Sequence, residues 1–131
     1  MSENLDLVRS IFSDWERRGD LNSFWWAHPD LQLVLADGPE PGTWSGLADV
    51  EGFVRDWMSA WEDNRIEADE YRELDDEHVF VLARGIGRGR ASGLEVETKV
   101  AWLFHIRDGK VARYVGYFDR DRGLADLGLE E

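Results

Sequence analysis

The chain has 131 residues, no cysteine, and a net charge of −13 from 15 basic and 28 acidic side chains. That length suits one domain, and the lack of thiols excludes disulfides, cysteine zinc sites, iron–sulfur clusters and thiolate nucleophiles. An acidic field of this size repels phosphate backbones and disfavours nucleic acid as a partner.

From Leu5 to Arg18 the apolar residues Leu5, Val8, Ile11, Phe12 and Trp15 recur at helical spacing, with Asn4 as cap and Gly19-Asp20 as stop. A shorter helical piece is predicted from Leu21 to Trp26, ending before His28-Pro29. Leu31, Leu33 and Leu35 alternate as in a strand, and Asp37-Gly38-Pro39-Glu40-Pro41-Gly42 is loop chemistry. A second long helix runs from Leu47 to about Trp61, capped by Thr43 or Ser45, with Leu47, Val50, Phe53, Val54, Trp57 and Trp61 as its apolar stripe. The period then changes to two. Strands are predicted from Ile66 to Leu74, His78 to Arg88, Leu94 to Arg107 and Lys110 to Phe118, and a short helix through Leu124 and Leu127 ends at Gly128. The expected class is α+β: a curved antiparallel sheet with three helical segments on its concave face, shaped like a cone. No apolar run is long enough to span a bilayer, and Met1-Ser2-Glu3-Asn4 has no signal-peptide character. A soluble, cytoplasmic protein without a membrane partner is therefore expected.

The Arg107-Asp108-Gly109-Lys110 hairpin decides which side chains face inward. A two-residue primed turn would pair Trp102 with Val115. A type I turn with Gly109 in a bulge would pair Trp102 with Tyr114, Phe104 with Ala112 and Val100 with Gly116. The second register is preferred because it gives faces of uniform polarity. Val96, Val100, Trp102, Phe104, Tyr114 and Phe118 then share one face, and Glu95, Glu97, Lys99, His105 and Arg113 the other. Seven Trp, three Tyr and six Phe in so short a chain must fill a core or line a hollow. Phe12, Trp15, Trp57 and Trp61 from the helices, and Trp102, Phe104, Tyr114 and Phe118 from the sheet, are the candidate lining. Solid core and ligand cavity share this composition, so both stay open.

The order helix, Gly-Asp, short helix, strand, Trp44-Ser45-Gly46 before a helix, then a meander through Asp108-Gly109-Lys110-Val111 and Tyr117-Phe118-Asp119 resembles the SnoaL-like family of the nuclear transport factor 2-like superfamily. The resemblance spans about residues 5–129 of a single domain, 1–131. It implies a cone-shaped α+β barrel, often dimeric through the outer sheet face, in a family of cyclases, isomerases, epoxide hydrolases, dehydratases and proteins without a known reaction. Fold alone does not choose among these. The isomerase-like pattern has a tyrosine on the first helix and a protonated acid before the last hairpin, and the matching positions are Phe12 and Trp102. The cyclase-like pattern has an acid before Tyr-Phe-Asp, where Gly116 stands, and proton transfer needs such a group. Asp37, nine residues before Gly46, matches the isomerase-like general base. It reads either as a base sheltered among tryptophans or as a turn residue of Asp37-Gly38-Pro39. Arg84 matches an arginine of epoxide hydrolase-like relatives and could hold a carboxylate or phenolate in the hollow, but their acid two residues on is Ile86 here.

The run from Arg84 to Arg90, rich in glycine, has no helix after it to bind phosphate and suits a strongly curved strand. His28, His78 and His105 have no metal-ligand spacing, and no metal or cofactor is expected. Asp75-Asp76-Glu77 reads as a hairpin tip, and no serine sits in a nucleophile elbow. Leu103, Val115 and Tyr117, beside Lys99 and Arg113, fit a homodimer interface on the outer face. Three functions follow in order: a pocket that binds a small apolar or aromatic molecule, a cofactor-free enzyme using Asp37 with Tyr114 and Arg84, and a non-catalytic dimeric association domain.

Overall fold

In a computed structural model, which describes residues 2–129, the first helix α1 (Glu3–Arg18) begins two residues earlier than its apolar stripe. Its cap is Ser2, whose hydroxyl accepts from the Leu5 amide at 3.1 Å, so Asn4 lies inside the helix. Val8, Ile11, Phe12 and Trp15 are buried along one side, as their spacing requires.

The predicted short helix over residues 21–26 does not form. Polar side chains there bond to other partners: Asp20 accepts from the Asn22 amide at 3.0 Å, and Ser23 donates to Asp14 at 2.5 Å. The chain bends instead into β1 (Ala27–Leu35). A strand that the sequence pattern did not disclose, β2 (Gly42–Ser45), pairs antiparallel with β1 before α2 (Leu47–Ser59). The second helix ends before Trp61, which opens β3 (Trp61–Glu73), and β4 (His78–Gly89), β5 (Glu95–Arg107) and β6 (Lys110–Tyr117) complete the meander.

The six strands lie in the order β2-β1-β6-β5-β4-β3. Every neighbouring pair is antiparallel except β1 and β6, which run parallel, so the sheet is mixed, and it stays open between its two edge strands. Two helices, α1 and α2, fill its concave face, with the main core around Phe12, Trp15, Trp26 and Phe104. The third, α3 (Arg120–Asp126), is capped by Asp119 and lies on the opposite face, where Leu124 covers Phe80, Leu82, Ala101, Val115 and Tyr117. Arg120 ties it there through the Ala83 carbonyl at 2.5 Å and Asp69 at 2.8 Å.

The last hairpin follows neither predicted register. Asp108 and Gly109 both have positive φ, 53° and 76°, as a two-residue primed turn requires. A bulge at Ala112 then shifts the ladder, so that Trp102 pairs with Gly116 and Phe104 with Tyr114. The shift restores the parity that burial demands: Val100, Trp102, Phe104 and Tyr114 face the hollow together, and Arg113 faces out.

Candidate functional site

The hollow between the helices and the sheet is partly filled and partly empty. Two cavities persist, of about 110 Å³ and 60 Å³. The larger lies between Trp57 and Trp61 on one side and the sheet residues Gly85, Gly87, Val100 and Trp102 on the other, with half-exposed Asn64 and Thr98 at its rim. The smaller lies deeper, among Trp15, Leu33, Leu35, Val54 and Tyr114.

Glycine makes the larger space possible. In a strand, alternate residues share a face, and Gly85 and Gly87 turn their missing side chains toward the hollow. A Cβ at Gly87 would stand 2.8 Å from Cε3 of Trp61, and one at Gly116 would stand 2.8 Å from Cη2 of Trp102. Each indole therefore lies on a glycine of a neighbouring strand. The alternation Gly85-Ile86-Gly87-Arg88-Gly89 already held this signal, since a period of two puts all three glycines on one face.

Of the nine residues expected to line a ligand site, six line these cavities. Trp57 and Trp61 line the larger cavity, Trp15 and Tyr114 the smaller, and Trp102 and Phe118 line both, as does Trp57. Phe12 and Phe104 lie beneath the cavities, in edge contact with each other at 5.9 Å between ring centres, and are buried. Arg84 points the other way. Strand alternation places it on the outer face, where it binds Asp69 at 2.9 Å, Glu97 at 3.2 Å and Glu67 at 3.3 Å. Burial raises the Asp69 carboxyl, but the hydrogen bonds and charges of Arg120 and Arg84 outweigh it and hold the carboxyl below the usual carboxylate range.

Asp37 is absent from both linings. One carboxylate oxygen accepts from the Phe118 amide at 2.6 Å and the other from the Asp119 amide at 3.3 Å. The side chain thus joins the end of β1 to the start of α3. His78 and His105, far apart in sequence, are cross-strand neighbours with stacked rings 4.6 Å apart, each bonded to a carboxylate, Asp75 or Glu77. Among the described residues no group of three or more His, Asp or Glu is placed to hold a metal ion, and no helix is long and apolar enough to cross a membrane.

The chemistry of the lining is narrow. Among the described residues no Asp, Glu, His or Lys lines either cavity, and Arg65, in the wall of the larger one, is paired through Nε with Asp63 at 3.3 Å. Burial pushes the Tyr114 phenol well above its ordinary value, so it stays protonated. Trp15 and Trp102 bury indole N–H groups that have no hydrogen-bond partner in the protein. The walls can enclose rings and donate hydrogen bonds, and they offer no proton acceptor of the kind a general base requires.

A curved sheet wrapped around two helices, with a ring-lined hollow between them, defines the nuclear transport factor 2-like class. Within that class the chain belongs to the SnoaL-like domain family, whose profile matches residues 10–114. Among solved structures it is similar to an NTF2-like protein of unknown function from Burkholderia pseudomallei, with 22% identity, a TM-score of 0.79, and coverage of 95% of this chain and 97% of that one. It is also similar to TerC, co-crystallised with polyporic acid, at 22% identity, TM-score 0.75 and 98% coverage of each chain. A third similar structure has a ketosteroid isomerase-like fold, comes from Catenulispora acidiphila and was solved with trimethylamine, at 16% identity, TM-score 0.74 and coverage of 95% and 94%. Identities this low establish the fold. No curated protein matches the sequence.

Proposed function

We propose that this chain is a binding protein for one small, uncharged, apolar or aromatic molecule held in the hollow between α2 and the sheet. A single observation carries the reading: space is retained against Trp57, Trp61 and Trp102 while no ionisable acid or histidine reaches it. A void of this kind loses dispersion contacts on its walls, and an apolar guest restores them. Engineered apolar cavities of about 150 Å³ take up benzene on this principle, and the larger cavity here is about 110 Å³. That two structural neighbours were solved with polyporic acid or trimethylamine is consistent with a fold that accepts small organic guests.

The catalytic alternative required Asp37 as a base, and both of its oxygens are engaged by backbone amides. The homodimer expected through the outer sheet face belongs to this reading on narrower ground. There α3 covers Val115 and Tyr117 and leaves Val34 and Leu103 as partly buried apolar residues. A solution mass of twice 15.1 kDa supports the dimer, and a mass of 15.1 kDa removes it.

The binding test follows the seven tryptophan indole N–H signals by NMR during titration with toluene. The expected result is a saturable shift at Trp57, Trp61 and Trp102, retained in Asp37→Asn. Non-saturable drift at all three would remove the binding reading. Loss of the shift in a folded Asp37→Asn protein would return that carboxylate to the site.

A further inference from the structure

The two cavities are neighbours, and four side chains line both: Leu21, Trp57, Trp102 and Phe118. Leu21 comes from the bend after α1, Trp57 from α2, and Phe118 from the bend after β6. Only Trp102 rises from the middle of the sheet. Its position is closely determined. The benzo edge lies over Gly116, where a Cβ would stand 2.8 Å from both Cη2 and Cζ3. On the same face the indole stacks on Tyr114, with ring centres 5.5 Å apart and planes at 24°. Trp15 closes in from α1, its ring 6.5 Å away. The indole is therefore the one of these four side chains that the sheet itself holds in place where the two cavities adjoin.

We propose that Trp102 is the specificity-determining residue of the site: a partition, seated on Gly116, that limits the guest to a single ring. This inference rests on the binding reading above and goes beyond it, because a pocket without such a partition would grade its guests by hydrophobicity alone. A larger fused ring exposes more apolar surface and gains more from burial. With the partition in place, that gain is forfeited, because the second ring of the guest collides with the indole.

The test compares toluene with 1-methylnaphthalene in the wild type, Trp102→Leu and Trp102→Phe, again through the indole signals of Trp57 and Trp61. The wild type should bind toluene more tightly than 1-methylnaphthalene despite the greater hydrophobicity of the latter. The ratio of naphthalene to toluene affinity should rise about tenfold in Trp102→Leu, the low end of what one hydrophobic pocket contact discriminates, and by less in Trp102→Phe. Should the leucine protein fail to fold, the direction of the change in the phenylalanine protein decides. Toluene binding with an unaltered ratio in the folded variants overturns the partition and leaves the pocket standing. So does a wild type that prefers 1-methylnaphthalene. Absence of saturable binding by both probes in all three proteins overturns the pocket and the partition together.

Discussion

Trp102 and Gly116 face each other across β5 and β6, and each explains the other. The family resemblance implies an acid at each of the two positions in different enzymes, where this chain has an indole and a glycine. The indole takes up the volume that a side chain at its cross-strand neighbour would need. Restoring a side chain at 116 should therefore be costly while Trp102 is present. Overpacking of a tight site costs about 1–3 kcal/mol, and Gly116→Ala should destabilise the wild type by that order, read as a drop in thermal midpoint by circular dichroism. In a Trp102→Leu background the same substitution should cost much less. Contacting residues couple by about 0.5–3 kcal/mol in such cycles. Additive effects would mean that ring and glycine do not meet.

Elements are held by side chains that bond outside the regular structure, and Asp14 shows how. It sits on α1, buried, and its carboxylate accepts from Ser23 at 2.5 Å, from Trp25 Nε1 at 3.3 Å and from Arg17. The Ser23 hydrogen bond is the largest influence on it. Burial opposes that bond, the Arg17 and Trp25 bonds assist it, and the net result holds the carboxyl below its ordinary value. The folded state thus binds this proton less readily than the unfolded chain. Its stabilisation is complete above the unfolded carboxylate value, about 3.9, and is lost as pH falls through the lower folded value. Asp14→Asn should therefore be less stable than the wild type at pH 6, with a gap in urea midpoint that narrows by pH 3; a constant gap contradicts the assignment. The same bonds explain why residues 21–26 read as helix from their apolar pattern and yet form a bend: Ser23 and Trp25 turn toward Asp14, and Asp20 ties down the Asn22 amide. Periodicity was sufficient for α1, α2 and the long strands, because burial enforces it over many residues. It was insufficient for β2, which spans only four residues, and for Trp61, which pairs with Gly89 across the ladder and lays its ring against Gly87. The hairpin is intermediate. Face polarity was readable and set the parity, but pairing Trp102 with Gly116 has the same parity as the expected pairing with Tyr114, and the bulge at Ala112 selects it. Asp37 had no such signal, since spacing along the chain does not report which amides a carboxylate meets.

For the whole molecule, acidic charge is segregated from the hollow, whose larger cavity has Arg65 in its wall. The chain carries 28 acidic residues, and among the described residues none lines either cavity. The outward field repels anions, which fits an uncharged guest, and it also repels itself. Net charge far from zero destabilises a compact state. Screening should relieve this strain, since the Debye length falls from about 30 Å at 0.01 M salt to about 8 Å at 0.15 M. Salt also weakens favourable pairs, but exposed ones are worth little, with a median of about 0–1 kcal/mol. The best-buried pair among the described residues, Arg120 with Asp69, is shielded from ions by the 9% exposure of the arginine side chain. Repulsion among 13 excess negative charges therefore dominates, and the thermal midpoint at pH 7 should rise when sodium chloride is raised over that range. The discriminating control is pH 4.5, the isoelectric point of the sequence, where self-repulsion is absent and the same salt step should leave the midpoint level or lower it. An equal rise at both pH values would assign the effect to salting-out of apolar surface and not to charge.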